Sequence, residues 1–252
     1  MCDRAGHTLA LDERLRTRDN PRMDRERYVP ALRFDVLTRF FDPVVRLTTR
    51  ERRFKKLLVE QVDLRPRQRV IDVGCGTATL LIALKRACPT AEVIGLDGDP
   101  RALDIARNKI SAASVSIELI EQMAWQLPFP DASLDRVVSS LVFHHLGRET
   151  KLRTLREMHR VLAPDGELHI ADWGRPHGLG MRAAFLAVQL LDGFTTTSDS
   201  VAGTFPRLIV EAGFVGVQET QRLRTPLGTL ALYRASRASP VDAPGHYSPT
   251  PD

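Results

Sequence analysis

Apolar positions along the chain follow two alternating periods. Phe54, Leu57, Leu58 and Val62 fall at helical spacing and predict an amphipathic helix through about residue 63. A short β-branched run, Arg69 to Val73, then predicts a strand that ends in Gly74-Cys75-Gly76. Thr77 to Cys88 has helical periodicity and is stopped by Pro89, and Glu92 to Asp97 predicts a second strand. Pro100 opens a helix with Leu103, Ala106 and Ile110 on one face, since proline suits a first helical turn. Val115 to Ile120 and Leu134 to Ser140 predict two further strands. A helix follows with Leu152, Leu155, Met158 and Leu162 aligned. Pro164-Asp165-Gly166 makes a turn before a fifth strand, Glu167 to Ala171. Two more helices, Leu179–Leu191 and Phe205–Ala212, precede an antiparallel pair, Phe214–Leu223 and Thr229–Arg234.

Strand alternating with helix at this spacing gives an α/β fold, a mostly parallel sheet covered on both faces. Such sheets bind ligands at the carboxyl ends of their strands. Asp72–Gly76, Asp97–Asp99, Gln122–Ala124 and Ser139–His145 fall at those ends. The chain divides into a disordered tail over 1–22, a helical cover over 23–53, the α/β domain over 54–235 and a second loose tail over 236–252. Met23 is a candidate start, because apolar patterning begins only at Tyr28.

Composition narrows the function classes. Of 252 residues, 43% are hydrophobic and 27% charged, which excludes a wholly disordered chain. The longest apolar run, Ala183 to Val188, is far below the about 18 residues that a membrane span needs. Three scattered cysteines make neither a disulfide framework nor a zinc site, and point to a reducing, cytoplasmic setting without metal. The net charge is +5, with the densest basic stretch from Arg46 to Lys56. That stretch is either a solvated helix face or a contact for acidic substrate or lipid headgroups at a membrane surface. No nucleic-acid-binding module is visible.

The loop Gly74-Cys75-Gly76 lies between strand and helix, where backbone can approach a ligand at a helix N-terminus. The third glycine of a dinucleotide fingerprint is replaced by Thr79. Asp72, just before the loop, would repel a pyrophosphate and attract a cation. The loop therefore favours a cationic adenosyl ligand, S-adenosylmethionine, over a nicotinamide dinucleotide. Asp97 can accept hydrogen bonds from both ribose hydroxyls, or act as a turn residue; Asp99, directly before Pro100, is the better helix cap. Asp72 could instead brace the loop by accepting backbone amides.

The ordered set Val70-Ile-Asp-Val-Gly-Cys-Gly-Thr77, Gly95-Leu-Asp97, Leu127-Pro-Phe-Pro-Asp131, Leu134-Asp-Arg-Val137, His144-His-Leu146 and Arg160-Val-Leu-Ala-Pro164 resembles class I S-adenosylmethionine-dependent methyltransferases, nearest the ubiquinone/menaquinone-biosynthesis-like branch called methyltransferase type 11. The resemblance covers about residues 54–234. It implies a Rossmann-like three-layer sandwich, a seven-stranded sheet with a reversed last strand. It implies Asp72 near the amino end of the cofactor, Gly74, Cys75 and Gly76 along its methionine part, Asp97 and Gly98 at the ribose, and Met123 and Ala124 flanking adenine. Ser140, at the end of the fourth strand, joins this set. Gln122 replaces the glycine, and Met123 the acid, usual before that alanine; Asp165 stands where the turn is usually Pro-Gly-Gly.

His144 and His145 follow the fourth strand and are candidate bases for an acceptor that must lose a proton; the alternative is a structural pair. Asp172 and Trp173 are candidates for lining an acceptor pocket, though Trp173 could equally be core packing. The apolar residues Phe34, Phe40, Phe41, Phe185 and Phe194 would suit a small quinone-like or lipid-like acceptor, or simply fill a core. A cofactor-binding scaffold without catalysis and a phospholipid amine N-methyltransferase are the competing readings. Neither the oligomeric state nor the acceptor is legible.

Overall fold

The computed structural model of the chain describes residues 51–176, 178–192 and 194–237. The expected tail over 1–22, most of the helical cover over 23–53 and nearly all of the second tail lie outside them. So do Phe34, Phe40 and Phe41, and the side chains of Leu190, Leu191 and Phe194.

Phe54, Leu58 and Val62, each a helical turn apart, are fully buried on α1 (Glu51–Val62). The chain then alternates: β1 (Arg69–Val73), α2 (Thr79–Ala87), β2 (Glu92–Asp97), α3 (Pro100–Ala112), β3 (Glu118–Glu121), β4 (Leu134–Ser140) and, after a 3-10 turn at Phe143–His145, α4 (Arg148–Val161). It continues through β5 (Leu162–Trp173), α5 (Gly178–Asp192), α6 (Phe194–Ala202), α7 (Phe205–Glu211), β6 (Phe214–Thr225) and β7 (Gly228–Arg237). Asp99 caps α3 as expected, its carboxylate accepting the Arg101 amide at 2.9 Å.

The seven strands form one sheet in the order β3-β2-β1-β4-β5-β7-β6. The pairs from β3 to β5 are parallel; β7 is antiparallel to both β5 and β6. This is the Rossmann-like arrangement with a reversed last strand. Alternation along β1 sends Ile71 and Val73 into a core with Leu155, Met158 and Phe205, and Val70 into an opposite core with Phe54, Leu81 and Leu103. Strand order reverses between β1 and β4, so their carboxyl ends splay apart and leave a crevice there.

Three boundaries differ from the sequence pattern. Expected from Val115, β3 begins at Glu118, because an edge strand exists only where β2 offers a partner, starting at the pair Ile94–Glu118. Val115 and Ile117 pack half-buried outside the ladder. Expected from Glu167, β5 already pairs at Leu162 with Leu134; residues up to Gly166 bulge out, with Asp165 at φ 64°. Aspartate is one of the few residues that tolerates this left-handed conformation. Finally, β7 extends through Ser236 and Arg237, which the pattern assigns to the tail.

The apolar stripe of α4 contains an ion. Lys151 sits one turn ahead of Leu155 and is 1% exposed. Its ammonium donates to Asp199 Oδ2 at 3.1 Å and to the Thr196 carbonyl at 2.7 Å, tying α6 to α4. Thr204 and the more exposed Arg148 also donate to Asp199 Oδ1, at 3.0 and 3.3 Å. A buried charge that loses its partner costs about 3–5 kcal/mol. An exposed pair contributes at most about 1 kcal/mol. Asp199→Ala should therefore destabilise the fold by about 3–5 kcal/mol and Arg148→Ala by no more than about 1 kcal/mol in urea unfolding. Equal midpoints for the two variants would show that Lys151 does not depend on Asp199.

Candidate cofactor and acceptor site

The crevice is built from loops that hold one another by backbone. The Gly74 and Cys75 amides both donate to the Leu96 carbonyl, at 2.7 and 3.0 Å, which fastens the glycine loop to β2. Gly74 has φ 76°, and a Cβ there would collide with Val142 Cγ2, so the segment after β4 closes directly on the loop. Gly76 also has positive φ, 52°, but a Cβ on it would meet nothing within 4 Å. One glycine permits close packing of protein; the other faces open space that a ligand can approach. Cys75 contributes only backbone here. Its side chain is 7% exposed beside Gly95, and burial pushes the thiol pKa up, so it is an inert core group.

Asp97 accepts the Gly76 amide at 2.8 Å through Oδ2 and the Asp99 amide at 2.9 Å through Oδ1. It braces the turn as the bland reading has it. A carboxylate accepts up to about four hydrogen bonds, so both oxygens retain capacity for hydroxyl donors. Burial raises its pKa, and these amides act against that rise.

Asp72 is different. It is 1% exposed, and neither carboxylate oxygen has a hydrogen-bond partner among the described residues. It shares the parity of Val70 and so faces the α1 side, where the Lys55 ammonium acts on it electrostatically. Burial pushes its pKa up to about 7; Lys55 opposes the rise and Asp97 adds to it. The loop-bracing alternative is therefore not what Asp72 does. A buried acceptor of this kind lacks a donor, and a ligand ammonium supplies one.

After β3, the Gln122 amide donates to the Asp97 carbonyl at 3.1 Å, bringing Gln122, Met123 and Ala124 to the same rim. Met123 lies over Gly98, with Sδ 2.7 Å from where a Cβ would stand. On the opposite side, Ser140 ends β4 half-buried, and the neighbouring Ser139 hydroxyl donates to the Val73 carbonyl at 2.8 Å.

His144 and His145 stack with ring centroids 3.9 Å apart in the 3-10 turn. His144 Nδ1 is 2.8 Å from Asp172 Oδ1. Burial raises the Asp172 pKa, but the His144 ring and the Trp173 amide outweigh it and hold the carboxyl below its usual range. An ionised carboxylate only accepts, so Nδ1 carries a proton and donates it to Asp172, which fixes the orientation of the ring. Burial, reinforced by His144, pushes the His145 pKa down to about 3. The stacked pair thus carries at most one charge near neutrality.

The pocket-lining expectation for Asp172 is corrected, and Trp173 takes the core alternative. Asp172 accepts from the Val142, Phe143 and Trp173 amides, at 3.1, 2.8 and 2.7 Å, as well as from His144. Its acceptor sites are filled, so it orients His144 rather than facing an acceptor. Trp173 is 4% exposed and packs edge-on against Phe185, itself 1% exposed, so both are core. Sequence reasoning missed Lys55 and Val142, whose approach to Asp72 and Gly74 is a tertiary contact without a local signal.

Residues 70–166 match the family model described as a methyltransferase domain. A demethylmenaquinone methyltransferase of Deinococcus radiodurans is 35% identical over 146 residues, 58% of this chain and 58% of its own length. This chain thus spans under two thirds of that relative. One from Symbiobacterium thermophilum is 27% identical, aligned over 83% of this chain and 92% of its own length. The crystal structure of the S-adenosylmethionine-dependent methyltransferase SibL superposes with a TM-score of 0.58 at 24% identity, covering 73% of this chain and 55% of SibL.

The raised Asp72 pKa has a stability consequence. An acid with a folded pKa near 7, against an ordinary 3.8, favours the fold fully below about pH 3.8. That contribution is lost progressively as pH rises from there through about 7. Asp72→Asn should raise the melting temperature of the ligand-free protein by more at pH 8 than at pH 5. An equal shift at both pH values, or none, would contradict the buried, unpartnered carboxylate.

Proposed function

We propose that this chain, whose residues 70–166 match the methyltransferase-domain family model, is an enzyme that uses S-adenosylmethionine to methylate a small, apolar, hydroxylated or quinone-like acceptor. The observation that carries the reading is the buried, unpartnered Asp72 carboxylate beside a glycine loop that opens at Gly76. It fits an ammonium and would be a liability against a pyrophosphate. The names of the relatives support the quinone class of acceptor.

When bound, S-adenosylmethionine supplies a methyl group already activated on a sulfonium. Asp72 holds the ammonium, Gly76 admits the methionine part while Gly74 lets Val142 close on the loop, and Asp97 accepts the ribose hydroxyls beside Gly98. Met123 and Ala124 flank the adenine, and Ser140 borders the chain that joins them. The protein's share of the acceleration is alignment and exclusion of water. His144 takes the acceptor's hydroxyl proton at Nε2 while Asp172 fixes the ring through Nδ1, as in other oriented imidazole bases. Loss of that proton makes the oxygen of a hydroxylated acceptor, or a ring carbon of a quinone in its reduced hydroquinone form, nucleophilic; the proton stays on His144 and the sulfonium leaves as the neutral thioether. His145 keeps the base from sharing its site with a second charge.

No helix among the described residues is long and apolar enough to cross a membrane. Arg52, Arg53 and Lys56 are exposed on α1, so an anionic lipid surface on the cytoplasmic side is the contact through which a lipid-like acceptor would be reached.

Calorimetric titration should show micromolar binding of S-adenosylmethionine and none of NADH; binding of neither would return the scaffold reading. Asp97→Ala should weaken cofactor binding by about 1–3 kcal/mol, and unchanged affinity would remove Asp97 from the ribose. His144→Ala should lower turnover by about 10²–10⁴ with cofactor affinity unchanged. Retained turnover in a folded variant would leave His144 a structural residue.

A further inference from the structure

The guanidinium of Arg160, in the last turn of α4, uses all five of its N–H groups. Nε and Nη2 form a fork on the Glu157 carboxylate at 2.8 and 2.9 Å. Nη1 donates to the Phe129 carbonyl and to Asp131 Oδ1, each at 2.8 Å, and Nη2 also donates to the Leu127 carbonyl at 3.0 Å. Glu157 Oε2 in turn accepts the Leu127 amide at 3.0 Å. One ion pair thus grips residue 127 by both its N–H and its C=O.

The grip lies at one end of a short segment whose other end is the bond from the Gln122 amide to the Asp97 carbonyl, 3.1 Å. Between them the Gln126 amide donates to the Met123 carbonyl at 3.0 Å, Met123 covers Gly98, and Ala124 and Trp125 pack half-buried on the core. With both ends fixed, the height of Met123 and Ala124 above the crevice follows from where residue 127 is held. The side chains of Arg160 and Glu157 are 31% and 25% exposed, too wet for the pair to add much stability. Five directed donors on three backbone carbonyl or carboxylate groups and a fork give geometry instead.

We infer that Arg160, braced by Glu157, is a positioning residue that sets the cofactor-facing segment 122–126, and through it the affinity for the adenosyl half of the ligand. This deepens the function proposed above and rests on it. Lysine at 160 keeps the charge but cannot form the fork or reach three partners in a plane.

The test uses the two tryptophans. With Trp173→Phe as background, Trp125 reports on the segment alone. Arg160→Lys and, separately, Glu157→Gln should increase acrylamide quenching of Trp125 at least twofold and raise the dissociation constant of S-adenosylmethionine at least about tenfold. The unfolding midpoint should stay near that of the background. Unchanged quenching with unchanged affinity would overturn the inference. So would weakened binding with unchanged quenching, or weakened binding accompanied by a collapsed unfolding midpoint in both variants. A background protein that binds no S-adenosylmethionine would instead count against the proposed function, while the quenching comparison would still decide whether Arg160 holds the segment.

Discussion

The position of β1 governs the rest of the molecule. It is paired on both edges, to β2 and β4, and covered on both faces, so every residue on it except Arg69 at its amino end is buried. Val70, Ile71 and Val73 satisfy that confinement by being apolar. Asp72 does not. Placing a carboxylate in the middle of such a strand, without a donor, is unfavourable for the fold taken alone. The site exists because the surrounding sheet is stable enough to hold that carboxylate in place, and conflict of this kind between local stability and the global fold marks functional positions.

Around this residue the chain spends backbone polarity rather than side chains. The Leu96 carbonyl receives two loop amides, Asp97 receives two more, and Asp172 receives three amides and an imidazole. Leu96 and Asp97 end β2 and Asp172 lies at the end of β5, so the crevice is closed by bonds between strand ends. The sheet aligns those ends, and the loops inherit its rigidity. A methyl donor and acceptor must meet in line, and a frame of this sort confers alignment without a large catalytic inventory.

Much of this was legible in the residues. The strand Arg69–Val73, the Asp99 cap with Pro100 behind it, and the final antiparallel pair each follow from signals within a few positions, and local signals survive folding. The glycine loop and Asp72 stood out because charge and turn chemistry sit side by side. The bulge at Asp165 and the late start of β3 were not legible, since each depends on what a partner strand offers. The role of Asp172 was misread for the same reason. Nothing near it in sequence says that the amides of Val142 and Phe143, about thirty positions earlier, turn inward to fill its acceptor sites. Arg160 reads as an ordinary helix-end cation until its partners at 127–131 are seen. Site roles assigned to Gly98, Met123, Ala124 and Ser140 rest on place in the fold and on the proposed ligand.

The order of the last strands bears on how the protein is made. β6 precedes β7 in the chain yet lies outside it in the sheet, pairing with nothing else. During synthesis, β6 leaves the ribosome with no edge to join, and the edge of β5 stays open beside it. Only β7, inserted between them, seals both at once. Until then Trp173 and its neighbours, which stand in register with Leu230 to Tyr233, lack the strand that covers their edge. The nascent chain therefore carries an unsealed sheet edge from the completion of β5 to that of β7, an association hazard that ends only when its closing strand arrives.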